Sequence, residues 1–229
     1  MERLYQPPLH GLGAVLNTIT NLPGFLSEPV PGNTSGGGRA CFDRYLGILD
    51  ALERRSLIDS SLLDIGCSSG FFAYLFAVTA CRQVTAVEDA RGASAGYGEN
   101  AFLAPLLRAK QQYALHHLEI IDKPIEQFLL ACRDRQWDVV LCLSVLHHFY
   151  TGYGDRPDRG RLTEEERQDL FAAIGRATGS VLYLEVDHGR VPDEFRADFT
   201  KWGRFRGCGL IASSASEAGE TRNLFELWK

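Results

Sequence analysis

The sequence is poor in features that would commit it to metal, membrane or nucleic acid. It has six cysteines, Cys41, Cys67, Cys81, Cys132, Cys142 and Cys208, and no Cys-x-x-Cys pair. Without that spacing neither a disulfide framework nor a zinc site is expected. Most of the six sit among apolar neighbours, so reduced thiols in a cytoplasmic setting are the expectation. No apolar run approaches the ~20 residues that cross a bilayer. Pro7, Pro8, Asn17 and Thr18 interrupt the stretch where a secretory signal needs an unbroken apolar core. Basic charge is not in surplus: 24 Lys and Arg against 29 Asp and Glu leave a net charge of -5. That balance argues against a large nucleic-acid footprint, although a tRNA stays open as a substrate. Repeats and low-complexity domains are also missing. The sequence is silent on oligomeric state.

What is present fits one globular domain with chain to spare for a cap: 229 residues, 45% apolar and 23% charged. Ser27 to Arg39, "SEPVPGNTSGGGR", reads as a hinge between an N-terminal arm over 1–40 and a domain over 41–229. From Cys41 the pattern is regular. Phe42, Tyr45, Leu46, Leu49 and Leu52 have the spacing of an amphipathic helix. "SSLLDIG" then reads as a buried strand and "FFAYLFAVTA" as a helix. "QVTAVED" is a second strand, followed by helix through about Leu115. "LEII" is a third strand, "PIEQFLLACRD" a helix, and "WDVVLCLSVL" a fourth strand. Thr163 and Glu166 make a capping box in front of another helix. "SVLYLEV" is the fifth strand. Strict alternation predicts an α/β fold, a mainly parallel sheet with helices on both faces. "GLIASS" and "NLFELW" have no helix between them, so they predict a closing antiparallel hairpin, for seven strands in all.

"SLLDIGCSSGFFAYLFA", Ser61 to Ala77, carries the chemistry. In an open parallel sheet, ligands bind beyond the carboxyl ends of the strands, where strand order reverses. Gly66 and Gly70 remove side chains there. Amides opening the next helix favour an electron-rich group. Glu88, with Asp89 beside it, follows Gly66 by 22 residues, a spacing that lets a carboxylate hold both hydroxyls of a ribose. An adenosine-like ligand is therefore expected. A nicotinamide dinucleotide wants Gly-x-Gly-x-x-Gly, and Ser68 stands where the second glycine belongs. Asp64, two residues before Gly66, suits a cationic amino group better than a pyrophosphate. S-adenosylmethionine has a sulfonium and an ammonium and no phosphate, and fits that asymmetry.

"LLDIGCSSG", "VTAVED" and "WDVVLCLSVLHHF" together resemble the class I S-adenosylmethionine-dependent methyltransferases, over roughly Phe42 to Lys229. The resemblance implies a Rossmann-like fold and S-adenosylmethionine as cofactor. It implies that Asp64 holds the methionine end and that Gly66, Cys67, Ser68 and Gly70 pass beneath the cofactor. It further implies Glu88 on the ribose, Asp122, Lys123, Pro124 and Ile125 around the adenine, and Leu143 and Ser144 near the transferred methyl. Ser68, often glycine in the family, departs from the pattern. The "LYQ" near the start, the glycine-rich stretch and an arginine in the helix before the first strand are similar to methyltransferases of bacterial glycans and of tRNA wobble bases. That likeness implies an arm carrying Tyr5 and Gln6 over the cofactor, with Arg44 on its carboxylate.

The acceptor side follows from the loops. Methyl transfer is an in-line displacement in which positioning does most of the work, and a base helps when the acceptor carries a proton. His148, then His147, just past the fourth strand, are the candidate bases, expected to point opposite ways from a strand end. "YTGYGDRPDRGR" contributes Tyr150, Tyr153, Arg156, Arg159 and Arg161; "KWGRFRG" contributes Trp202 and Arg204; "EVDHGR" contributes Glu185 and His188. Basic, aromatic loops on an acidic chain point to a small or glycan-like anionic acceptor, methylated on oxygen before nitrogen. His148, His188 and Glu185 do not have the spacing of a zinc pattern, so no metal is expected. Two other classes stay open: a nicotinamide-dependent oxidoreductase, and a binding partner of S-adenosylmethionine without catalysis.

Overall fold

The computed structural model of the protein describes residues 41–68, 70–89, 103–143, 145–152, 162–187, 195–215 and 221–229. The expected arm over 1–40, with Tyr5 and Gln6, lies outside them. So do Ser144, Tyr153, Arg156, Arg159, Arg161 and His188.

Seven strands form one sheet: β1 Ser60–Ile65, β2 Cys81–Glu88, β3 Leu118–Asp122, β4 Trp137–Cys142, β5 Thr178–Asp187, β6 Gly207–Ala215 and β7 Thr221–Trp228. Their order is β3-β2-β1-β4-β5-β7-β6. The first five are parallel, while β7 runs antiparallel to both β5 and β6. Strand order reverses between β1 and β4, so the helices that follow them pack on opposite faces of the sheet.

The described helices are α1 Cys41–Arg54, α2 Phe71–Thr79, α3 Leu103–Gln112, α4 Ile125–Ala131, α5 Leu146–Thr151, α6 Glu164–Ala177 and α7 Phe195–Lys201. Side chains alternate across a strand, and here the alternation sorts the core into two halves. Leu62, Val84, Ala86, Leu118, Val139, Leu141, Val181 and Tyr183 pack with α1, α2 and α3. Leu63, Ile65, Val87, Val140, Cys142, Leu182 and Leu184 pack with α4, α5, α6 and α7. Because both faces are covered, the parallel strands read as continuous apolar runs. α2 is apolar all round for the same reason: it is buried along nearly its whole length.

α6 opens as expected. The Glu166 amide donates to Thr163 Oγ1 at 3.3 Å, and the Thr163 amide donates to Glu166 Oε2 at 2.7 Å. Two elements differ from the sequence reading. The expected fourth strand runs on to Leu146, but β4 stops at Cys142 and α5 begins at Leu146. Leu146, Phe149 and Tyr150 are buried on one helical face, and a short apolar run cannot tell such a helix from a strand. α7 was not foreseen; its signal is the i, i+4 pair Phe195 and Phe199, both buried.

Candidate active site

The carboxyl ends of β1, β2 and β4 meet at the reversal of strand order. Asp64 sits near the end of β1, in register with Ala86 of β2 and Leu141 of β4. It therefore faces the α1–α3 side of the sheet and is only 2% exposed. It accepts the Ala73 amide from the first turn of α2. Gly70, the residue capping α2, supplies no side-chain bond of its own. Asp64 thus satisfies, from a neighbouring strand, one of the amides a helix start leaves open. Its Oδ2 is buried and has no hydrogen-bond partner. Burial and then the negative charge of Glu88 push the Asp64 carboxyl up to about 7, and the Ala73 amide only partly offsets them.

The turn after β1 folds back on Glu88. The amides of Gly66 and Cys67 donate to the Val87 carbonyl at 2.9 and 3.1 Å. The Ser68 amide donates to Glu88 Oε2 at 2.7 Å, and the Asp89 amide donates to Glu88 Oε1 at 3.0 Å. Both oxygens of Glu88 are thereby aimed before any ligand arrives. Gly66, Ser68 and Gly70 have φ of 70°, 51° and 86°. Ser68 holds the left-handed conformation without being glycine, so its departure from the glycine pattern is absorbed by the backbone.

The glycines do more than leave room for a ligand. A Cβ on Gly66 would lie 2.4 Å from Val145 Cγ2 and 3.3 Å from Ile125 Cδ1. A Cβ on Gly70 would lie 2.6 Å from both methyls of Leu106. Gly66 thus admits the residues that lead into α5 and α4, and Gly70 admits α3. Val145 and Leu106 carry no sequence signal for this role.

The other expected residues fall as follows. Asp122 ends β3 opposite Glu88, the Lys123 amide donates to the Glu88 carbonyl at 3.1 Å, and Pro124 caps α4. Leu143 is buried just past β4. Cys67 and Cys142 flank Asp64; burial and the nearby carboxylate push the Cys67 thiol well up and the Cys142 thiol up to about 12. Neither is a nucleophile at neutral pH.

Arg44 of α1 is buried at the carboxyl end of β5, ion-paired to Glu185 Oε2. Arg222 of β7 donates to Glu185 Oε1 at 2.9 Å. Two guanidinium groups thus share one buried carboxylate. Arg222 escaped the sequence reading; its one signal is a charge inside the apolar strand "TRNLFELW".

His147 and His148 follow each other on α5, with ring centroids 4.0 Å apart and an interplanar angle of 42°. They do not point opposite ways, because the element is a helix, where neighbours lie about 100° apart. His147 is buried; His148 is half-buried. His148 Nδ1 lies 3.2 Å from the Gly152 carbonyl. A carbonyl only accepts, so in this contact Nδ1 is the donor.

Tyr150 is buried. Its hydroxyl donates to Asp198 Oδ2 at 3.1 Å, and its ring lies between Phe171 and the Arg167 guanidinium. Trp202 and Arg204 require a correction. β7 reverses direction after β5, and β6 reverses again, so β6 starts beside the start of β5: Gly207 and Val181 both pair with Trp228. The segment before β6 therefore lies at the end of the sheet opposite Asp64 and Glu88. Trp202 stacks there under Lys201, and Arg204 is exposed.

Residues 63–167 match the sequence profile of a family described as a methyltransferase domain, whose members take their methyl group from S-adenosylmethionine. Among solved structures, the bifunctional kinase-methyltransferase WbdD is similar at 18% identity with a TM-score of 0.63. The match covers 95% of this chain and 46% of that one, so the chain spans under half the length of this relative. The N-methyltransferase NodS from Bradyrhizobium japonicum WM9 is similar at 14% identity with a TM-score of 0.54, over 83% of this chain and 98% of that one. No curated protein sequence matches. Among the described residues no helix is long and apolar enough to cross a membrane.

Proposed function

We propose that this chain is a class I S-adenosylmethionine-dependent methyltransferase that methylates an oxygen of a small or glycan-like anionic acceptor. The observation that carries the reading is the pairing of two unlike carboxylates where strand order reverses. Glu88 is clamped by two amides, whereas Asp64 keeps a buried oxygen without a partner. A ribose suits the first and a cationic amino group the second. A pyrophosphate would meet Asp64 unfavourably, which sets the nicotinamide reading aside.

S-adenosylmethionine supplies a methyl already activated by a sulfonium, so the protein's task is to hold, orient and deprotonate. Asp64 and Glu88 hold the two ends of the donor. Gly66, Cys67, Ser68 and Gly70 keep the turn beneath it low. Asp122, Lys123, Pro124 and Ile125 border the adenine side, and Leu143 and Ser144 the methyl side. His148 acts as the base for an acceptor hydroxyl, with the His147 ring beside it. The basic run Arg156 to Arg161, next along the chain from α5, supplies charge for an anionic acceptor. Tyr153 and His188 are further acceptor residues offered by the sequence.

Calorimetry with S-adenosylhomocysteine and with NAD tests the donor: the first binds and the second does not. Transfer of labelled methyl into a cell extract tests the reaction. His148→Ala lowers turnover by ~10²-fold or more and leaves S-adenosylhomocysteine affinity nearly unchanged. Full turnover in that variant would mean an acceptor that arrives without a proton to lose.

A further inference from the structure

The two carboxylates also bear on how the donor is captured. Asp64 is almost wholly buried, yet it faces Glu88, whose charge is already fixed by two backbone amides. Among the described residues, four groups act on Asp64. Glu88 comes from β2, Cys67 from the turn, Cys142 from β4, and the Ala73 amide from α2. One carboxylate and the Cys67 thiol stand on Asp64's own face of the sheet, the Cys142 thiol on the other, and a single amide offsets them. Arg44 and Arg222 lie two strands away, at the end of β5, on Glu185. His147 and His148 stand on α5, beyond β4.

A buried carboxylate in that company is costly to ionise, and a proton on Oδ2 removes the cost. An arriving cation reverses the balance, because a charge pair in a low-dielectric site outweighs the lost proton. We propose that Asp64 exchanges its proton for the cationic end of the donor: neutral in the ligand-free protein, ionised in the complex. Cofactor capture is then coupled to proton release. The step balances: one proton leaves Oδ2 for solvent and one ligand cation takes its place. This inference rests on the reading of the site as one for S-adenosylmethionine.

The coupling is open to calorimetry with S-adenosylhomocysteine, which carries the same ammonium, in pairs of buffers with different ionisation enthalpies. Close to one proton is expected to leave per ligand at pH 6, about half at pH 7 and almost none at pH 8.5. Affinity falls by up to tenfold per pH unit below about 7. Two arms identify the group. In 5′-methylthioadenosine the ammonium is missing, and binding should release no proton. In Asp64→Asn the release should vanish. Binding of S-adenosylhomocysteine without proton release between pH 6 and 8 overturns the coupling and leaves the site reading intact. Equal release with 5′-methylthioadenosine overturns the assignment to Asp64, and that arm needs no variant to fold. Absence of any binding removes the site reading itself.

Discussion

A single buried carboxyl ties the stability of this fold to pH. The folded state raises the pKa of Asp64 above its value in the unfolded chain, so the folded protein binds the proton more tightly. The associated stability is fully present below about pH 4 and is lost as pH rises through about 7. Asp64→Asn keeps the shape and removes the titration. In the ligand-free protein its stability relative to wild type should therefore rise with pH, by up to ~1.4 kcal/mol per unit between about 4 and 7. Urea midpoints at pH 5 and pH 8 check this; a constant difference would mean that Asp64 is ionised in both states. Asp64, the glycines and Glu88 were legible in the sequence because a strand-turn-helix holds them at fixed spacings. Val145, Leu106 and Arg222 were not. Each meets its partner across a long stretch of chain, as Arg222 and Glu185 do, and no local pattern encodes that meeting.

At the scale of elements, the two helical glycines Gly47 and Gly175 make opposite predictions. A Cβ on Gly175 of α6 would lie 2.1 Å from the Gly203 carbonyl oxygen, which is backbone and cannot turn aside. Gly175→Ala should cost about 3 kcal/mol, the upper range of overpacking. A Cβ on Gly47 of α1 would meet nothing nearer than 3.8 Å among the described residues. There alanine should stabilise, by up to about 1 kcal/mol of helix propensity. Thermal melts of both variants should move in opposite directions. The parallel strands and the closing hairpin were readable because a strand or a long helix repeats its pattern several times. α5 and α7 span six and seven residues, barely two turns, and repeat nothing. Missing α5 gave the histidine pair the wrong relative orientation. Missing the direction of β6 misplaced Trp202 and Arg204, because the hairpin's orientation is decided by pairing across the sheet.

Across the whole molecule, Glu185 ties α1 to β5 and β7 through Arg44 and Arg222. A buried ion pair adds little when complete, but removing one partner strands the others. Glu185→Gln should cost about 3–5 kcal/mol, because it leaves two buried guanidinium groups without their shared counter-charge. Asp50→Asn, which breaks the exposed pair with Arg54, should cost under ~0.5 kcal/mol. Denaturation curves for the two variants measure the contrast; equal small losses would mean that Glu185 is solvated.

The reversal of strand order has one more consequence, for a chain as it is being made. β1, its glycine turn, β2 and β3 emerge from the ribosome in sequence and can pair among themselves. The strand that closes the other side of β1 comes much later: Leu62 pairs with Val139, and Val145 closes on Gly66 only after that. During synthesis Asp64 therefore stands beside water on its β4 side. Its burial, begun on the α2 side where it accepts the Ala73 amide, is completed only when β4 and the rest of the second half dock.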